Sequence, residues 1–348
     1  MMPTDQPRAM MVCRGSVQDG LGHVMRSRQV ALELQKHFAT KMVVLGDDSP
    51  ENLLAGYDLD YTITANEGHA ITHFRHYRPD VVLFDMLHID DVTFQRMREA
   101  SRTVSLSPIF NKLNDVDVVF HRTRVLGDDW KVADGGPEIR CGLDYAVISD
   151  HCRRIEETTY RQNLDHDVLS VAISMGGADA PNKTLELLKR LKDVPEKFLF
   201  WVLLGEGYAH SYEELVQCIR GSKHEILLAK TNDSMWRILN SCAMVILAGG
   251  TTTYEAAYAG LPSINTLQTE RHYFLIQELV ERGACLHAGY DFNESLLAIR
   301  GILTRFSRNR DELLRIHQNA SRIIDGEGAA RVARLVKQLC ASKEAIAA

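Results

Sequence analysis

The sequence predicts an α/β fold of two doubly wound, Rossmann-like domains. Three observations carry the prediction. Short apolar runs of strand length alternate with stretches of helical period along nearly the whole chain. The alternation begins afresh near residue 168, after a charged interval. A chain of 348 residues is also too long for one typical core.

Taken in order, residues 10–13 form an apolar strand that runs into a glycine turn, and residues 24–37 follow with helical period. Strands are expected at 42–45, 61–64, 81–84, 103–106 and 116–120, with helices at 70–77 and 92–100. Arg78-Pro79 breaks the first of those two helices. Residues 127–137 read as loop and 143–148 as a strand. Residues 151–167 are strongly charged, so the boundary falls there, between domains at 1–155 and 156–348. The second half offers strands at 168–174, 198–204, 226–228, 244–247 and 263–266. Its helices are expected at 185–191, 235–239, 254–259 and 271–281. Three more, at 296–304, 308–324 and 328–343, close the second domain.

Composition excludes several classes. Apolar content of 45% and charged content of 25% are ordinary for a globular protein. A net charge of -6 argues against nonspecific nucleic-acid binding. Seven cysteines, with no C-x-x-C pair, argue against a disulfide framework and for a reducing compartment. No apolar run is long enough for an integral membrane segment, and the polar start precedes too short an apolar stretch for a signal peptide. A cytoplasmic protein is expected; the oligomeric state is not specified.

Gly20-Leu21-Gly22-His23 joins the first strand to the first helix. Gly20 and Gly22 let backbone approach a ligand, and the helix start presents unpaired N–H groups to an anion. His23 stands there as a candidate acid/base, with Arg14 and Arg26 as candidate anion-binding groups. Such turns are common in α/β proteins, so this stretch is weak evidence alone. Asp85 ends the strand at 81–84 and is a candidate substrate-binding residue. In the second half, Ser174-Met175-Gly176-Gly177 and Gly249-Gly250-Thr251-Thr252-Thr253 repeat the strand–glycine–helix arrangement. Their amides and hydroxyls could hold a diphosphate without metal, and Glu255, two residues into the expected helix, could accept from a ribose diol. A plain helix cap fits the same residues. Gln268 could read sugar hydroxyls, although its residue type alone fits a solvated helix start. No metal-ligand spacing, Walker A lysine or Ser-His-Asp arrangement is present, and no cofactor is called for. In open α/β sheets ligands lie beyond the carboxyl ends of the strands, so these turns could face one interdomain cleft.

Arg14, residues 20–27, 174–179 and 249–255, Gly260-Leu261-Pro262-Ser263 and residues 325–332 together resemble a known family. It is the nucleotide-sugar hydrolase of pseudaminic acid biosynthesis, with its spore-coat polysaccharide relatives. That family is similar in turn to the GlcNAc transferase that forms lipid II. The resemblance implies a GT-B fold and a UDP-activated sugar as substrate, with the nucleotide on the second domain near Gly249–Thr253 and Glu255. It implies that His23 is the acid/base and that no divalent metal is needed. Water would then be the acceptor. A glycosyltransferase with another acceptor, or a binding protein without turnover, are the alternatives. This chain departs from the family at Met86-Leu87-His88, which lacks the usual aromatic, and at Gly15-Ser16, which replaces an acidic residue.

Overall fold

The computed structural model describes residues 6–16, 20–127, 130–231, 235–267 and 269–347. The chain divides into two compact units, one of residues 1–149 with 326–348 and the other of residues 150–325.

In the first unit the strands are β1 (Arg8–Arg14), β2 (Ala39–Leu45), β3 (Asp60–Thr64), β4 (Val81–Asp85), β5 (Arg102–Ser105), β6 (Val118–His121) and β7 (Glu138–Cys141). They form one parallel sheet in the order β3-β2-β1-β4-β5-β6-β7. The helices between them are α1 (Gly22–Leu34), α2 (Glu51–Leu54), α3 (Glu67–Tyr77) and α4 (Asp91–Arg98). Both faces of the sheet are covered, so β1 reads as an unbroken apolar run. Alternate residues serve opposite faces. Ala9, Met11 and Cys13 pack with Val24, Val30 and Leu34 of α1, while Met10 and Val12 pack with Phe74 of α3 and Phe94 of α4. Two helix starts are capped in the expected way: Asn66 accepts from His69 N at 3.0 Å, and Asp90 accepts from Thr93 N at 2.8 Å.

The second unit repeats the plan. Its strands are β8 (Leu169–Ser174), β9 (Phe198–Leu204), β10 (Glu225–Lys230), β11 (Met244–Leu247), β12 (Ser263–Thr266) and β13 (Leu286–Gly289). They pair in parallel in the order β10-β9-β8-β11-β12-β13. Its helices are α5 (Glu157–Leu164), α6 (Lys183–Leu191), α7 (Tyr212–Ile219), α8 (Met235–Leu239), α9 (Thr251–Ala259), α10 (Phe274–Glu281), α11 (Phe292–Arg308) and α12 (Arg310–Ala320). Among the described residues no helix is long and apolar enough to cross a membrane.

The domain expectation needs one correction. The last helix, α13 (Gly328–Ala347), belongs to the first unit, not the second. Ala329, Val332, Ala333 and Val336 complete the apolar cluster under α1, and Arg331 donates to the Asp144 carbonyl. Helical period reveals that α13 has an apolar face but not which sheet covers it. The expectations also omit α2, α7 and β13, and four others change. Residues 143–148 are not a strand: Gly142, at φ 129°, ends β7, and Leu143–Tyr145 forms a short 3-10 helix. The edge strand β7 has only half-buried and exposed side chains, so no apolar run announces it. The charged interval contains α5, which buries Tyr160 and Leu164. Helix α9 begins at Thr251, three residues earlier than expected.

Val332 is 1% exposed within the first unit's core. An uncompensated buried charge costs about 3–5 kcal/mol. Val332→Asp should therefore destabilise the first unit by about that amount in denaturant unfolding. An unchanged midpoint would remove α13 from that core.

Candidate functional site

In each unit the chain leaves the middle of the sheet in opposite directions at one point, between β1 and β4 and between β8 and β11. Ligand-binding crevices form at such points in doubly wound sheets, beyond the carboxyl ends of the strands. The expected residues gather there in both units.

In the first unit, β1 and β4 lie side by side, with Cys13 opposite Asp85. Helix α1 follows β1, and its residues His23, Arg26 and Ser27 share one face through the i, i+3, i+4 spacing. All three converge on Asp85, which is fully buried. His23 Nδ1 lies 2.6 Å from Oδ1, Arg26 Nε donates to Oδ2 at 2.7 Å, and Arg26 Nη2 donates to Oδ1. Ser27 donates to Oδ2 at 3.3 Å, and Ser107, beyond β5, donates to Oδ1 at 3.2 Å. Burial alone would raise the Asp85 pKa, but the Arg26 and His23 charges and hydrogen bonds outweigh it and hold the carboxyl well below the ordinary range.

This arrangement decides the histidine tautomer. An ionised carboxylate can only accept, so Nδ1 must carry the proton. The 3.1 Å contact from Arg26 Nη2 to Nδ1 is then no hydrogen bond, because both atoms are donors. In the neutral ring the lone pair sits on Nε2, and the His23 side chain keeps 23% of its surface exposed. A carboxylate behind the imidazole orients the ring and stabilises the imidazolium that forms when Nε2 takes a proton. His121, at the end of β6, contrasts with it. It is buried against the Trp130 ring at 4.7 Å, and burial, then Arg122 and Arg26, push it down to about 3. It stays neutral and packs.

Three expectations on this side change. Asp85 was expected to bind substrate; its burial makes it the group that positions His23 and Arg26 instead. Arg26 is itself largely buried and holds Asp85. Arg14 pairs with Glu67 of α3, whose other oxygen accepts from Asp90 N at 2.6 Å. Gly20 has φ +81°, a conformation that favours glycine, and Gly22 is the first residue of α1. Ser27 was legible from its helical spacing to His23, whereas Ser107 and Glu67 carry no local signal.

In the second unit the turn after β8 holds Ser174, Gly176 and Gly177, with Gly176 at φ +99°. The Gly177 carbonyl accepts from Gly207 N at 3.0 Å, and a Cβ on Gly205 would stand 2.4 Å from that same oxygen. The glycines therefore serve close packing of two strand-end turns as well as conformation. After β11, Gly249 takes φ +81° and Gly250 caps α9 with no side-chain bond and no acidic residue in the first turn. Thr251 and Thr252 are half-buried at that helix start. Thr253 is turned inward, its hydroxyl donating to Asn265 Oδ1 at 2.6 Å, so it braces α9 on β12 instead of reaching a ligand. Because α9 starts early, Glu255 falls in its second turn, three and four residues beyond Thr252 and Thr251 on the same face. It is 7% exposed, and its carbonyl accepts from the Cys152 thiol at 3.4 Å. Gln268 lies outside the described residues.

No family model matches the chain. An uncharacterized protein of Methanocaldococcus jannaschii is 23% identical over 273 residues, 75% of this chain and 55% of that protein. The chain thus spans about half the length of that relative. The spore coat polysaccharide biosynthesis protein SpsG of Bacillus subtilis is 20% identical over 338 residues, 93% of this chain and 96% of that one. Among solved structures, MurG of Acinetobacter baumannii superposes with a TM-score of 0.67 at 14% identity, covering 95% of this chain and 99% of its own. The UDP-GlcNAc 2-epimerase of Neisseria meningitidis, solved with UDP-GlcNAc bound, gives 0.61 at 13% identity, covering 95% and 100%. The fold is therefore GT-B: two Rossmann-like parallel-sheet units.

The depressed Asp85 pKa has a consequence for stability. Its contribution is complete above the unfolded carboxylate pKa, about 4, and is lost as the pH falls through the lower folded value. Asp85→Asn should cost about 3–5 kcal/mol near neutral pH. In denaturant titrations the gap from the parent protein should narrow steadily below about pH 4. A gap independent of pH would show that Asp85 is not ionised in the folded protein.

Proposed function

We propose that this chain cleaves a UDP-activated sugar, with water as acceptor, in the biosynthesis of a surface glycan. The observation that carries the reading is the His23–Asp85 pair: an ionised carboxylate accepts a hydrogen bond from Nδ1–H and leaves Nε2 as a base on a partly exposed side chain. The spore-coat relative, which matches along nearly the whole chain, supports a role in glycan assembly. A structural neighbour solved with a nucleotide sugar supports the substrate class.

In this reading the second unit holds the nucleotide. The backbone of Gly176-Gly177 and the uncapped start of α9, with the Thr251 and Thr252 hydroxyls, meet the diphosphate without metal. Glu255 accepts from the ribose hydroxyls. The first unit supplies the chemistry. His23 Nε2 removes a proton from water as the water oxygen bonds to the anomeric carbon. The electron pair of the breaking C–O bond leaves with the diphosphate, giving UDP and a free sugar. Arg26 holds Asp85 ionised throughout, so the imidazolium that forms has its counter-charge in place. The departure at Met86-Leu87-His88, directly after Asp85, favours one competing reading, a transferase in which the same base deprotonates an acceptor hydroxyl.

The test is UDP release from a panel of UDP-sugars, with and without added acceptor. Release without acceptor is expected; release only with acceptor would select the transferase. A positioned base contributes ~10²–10⁴-fold. His23→Ala should lose that much turnover while UDP binding changes little, and normal turnover by the folded variant would eliminate His23 as the base. Hydrogen bonds to a charged group are worth about 1.5–3 kcal/mol, so Glu255→Gln should weaken UDP roughly ten- to a hundred-fold in calorimetric titration. Unchanged affinity would take Glu255 out of the nucleotide site.

A further inference from the structure

Lys183 is the first residue of α6, and it is 8% exposed. A buried lysine ordinarily has a carboxylate or carbonyl oxygen against its ammonium. Among the described residues this one has neither; its Nζ stands over the ring of Phe292, 4.9 Å from the centroid. The acidic side chain that acts on it most, Asp179, is committed elsewhere. Asp179 Oδ1 accepts from Lys183 N at 2.8 Å and Oδ2 from Thr184 N at 2.9 Å, closing the start of α6. Burial accordingly lowers the Lys183 pKa, with Asp179 only partly offsetting it.

A second basic side chain lies beside it. His272 follows β12, and its Nδ1 is 2.9 Å from the Thr269 hydroxyl. Burial, then the Lys183 charge, pushes its imidazole towards the neutral form. Lys183 follows the turn after β8, His272 the end of β12 and Phe292 the end of β13. All three therefore lie beyond the carboxyl ends of the strands, on the side of the sheet where Gly176-Gly177 and the uncapped start of α9 are found. The mostly buried Lys183 and the more exposed His272 beside it together form a seat that an anion completes. An ammonium binds phosphate as a point charge, and one with little water to shed binds it the more strongly.

We propose that Lys183, flanked by His272, binds the sugar-linked phosphate of a nucleoside diphosphate. This rests on the nucleotide-sugar reading above and adds a residue and a discrimination to it: the chain tells a nucleoside diphosphate from a monophosphate through Lys183.

Lys183→Met keeps the straight chain against Phe292 and removes the charge. Calorimetric titration of the parent protein and of Lys183→Met with UDP and with UMP is the test. The variant should lose UDP affinity roughly ten- to a hundred-fold, the range expected of a lost charge-assisted contact, with UMP affinity almost unmoved. Its melting temperature should equal or exceed that of the parent, because an unpaired buried charge has been removed. A parent that prefers UDP, with a variant that keeps the same preference, overturns the Lys183 assignment alone. Equal weakening of UDP and UMP, or a lowered melting temperature with unchanged UDP affinity, also overturns it, by making the lysine structural. A parent that binds neither nucleotide overturns this inference and the nucleotide-sugar reading together.

Discussion

The ionised carboxylate of Asp85, buried at the end of β4, is the interaction on which the arrangement of His23, Arg26 and Ser27 depends. A charge in that position is tolerable only if its lone pairs are met. Arg26 meets it with a two-pronged guanidinium contact, and Ser27, Ser107 and His23 take what remains. Three constraints bring these groups together. Helical spacing aligns His23, Arg26 and Ser27, parallel pairing sets β4 beside β1, and the loop after β5 delivers Ser107. The functional result is the tautomer of His23. Without the carboxylate, neither ring nitrogen would be assigned, and Nε2 would be no better a base than Nδ1.

The second unit solves a different problem with the same topology. The buried carboxylates near its switch point are Asp179, which accepts from the backbone at the start of α6, and Glu255, which lies in the second turn of α9. The turns after β8 and β11 instead offer backbone: glycines in the left-handed region, and a helix start with no side-chain cap. Lys183 adds a charge that Asp179 only partly offsets. In the proposed reading the division is between a unit that fixes a proton position and a unit that meets the negative charge of the diphosphate. Both follow from where a doubly wound sheet changes direction, because only there do two successive strand ends splay their helices to opposite faces.

Much of this was legible in the sequence because it is local. The alternation of apolar runs and helical stretches, the glycine turns and the position of His23 at a helix start all depend on spacing within about a dozen residues. What stayed hidden has a physical reason in each case. Strand β7 is an edge strand whose half-polar pattern looks like loop. Helix α5 sits in a charged interval, and only one side of it, at Tyr160 and Leu164, is buried. Thr253 and Glu255 were grouped by proximity in the sequence, but α9 starts early, so one hydroxyl turns inward and the carboxylate moves to the second turn.

Fold class, two-unit plan and candidate base could be read from local pattern, since each rests on hydrophobic period or on residue type at a turn. What each charged group does emerged only from the packed fold. Asp85 became the support of His23 instead of a ligand to substrate, Arg14 found Glu67, Lys183 was left without an oxygen partner among the described residues, and α13 returned to the first unit. A charge's role depends on how much water surrounds it and which opposite charge stands a few ångströms away. Both are settled by strands and helices far apart in the chain, where no local pattern reaches.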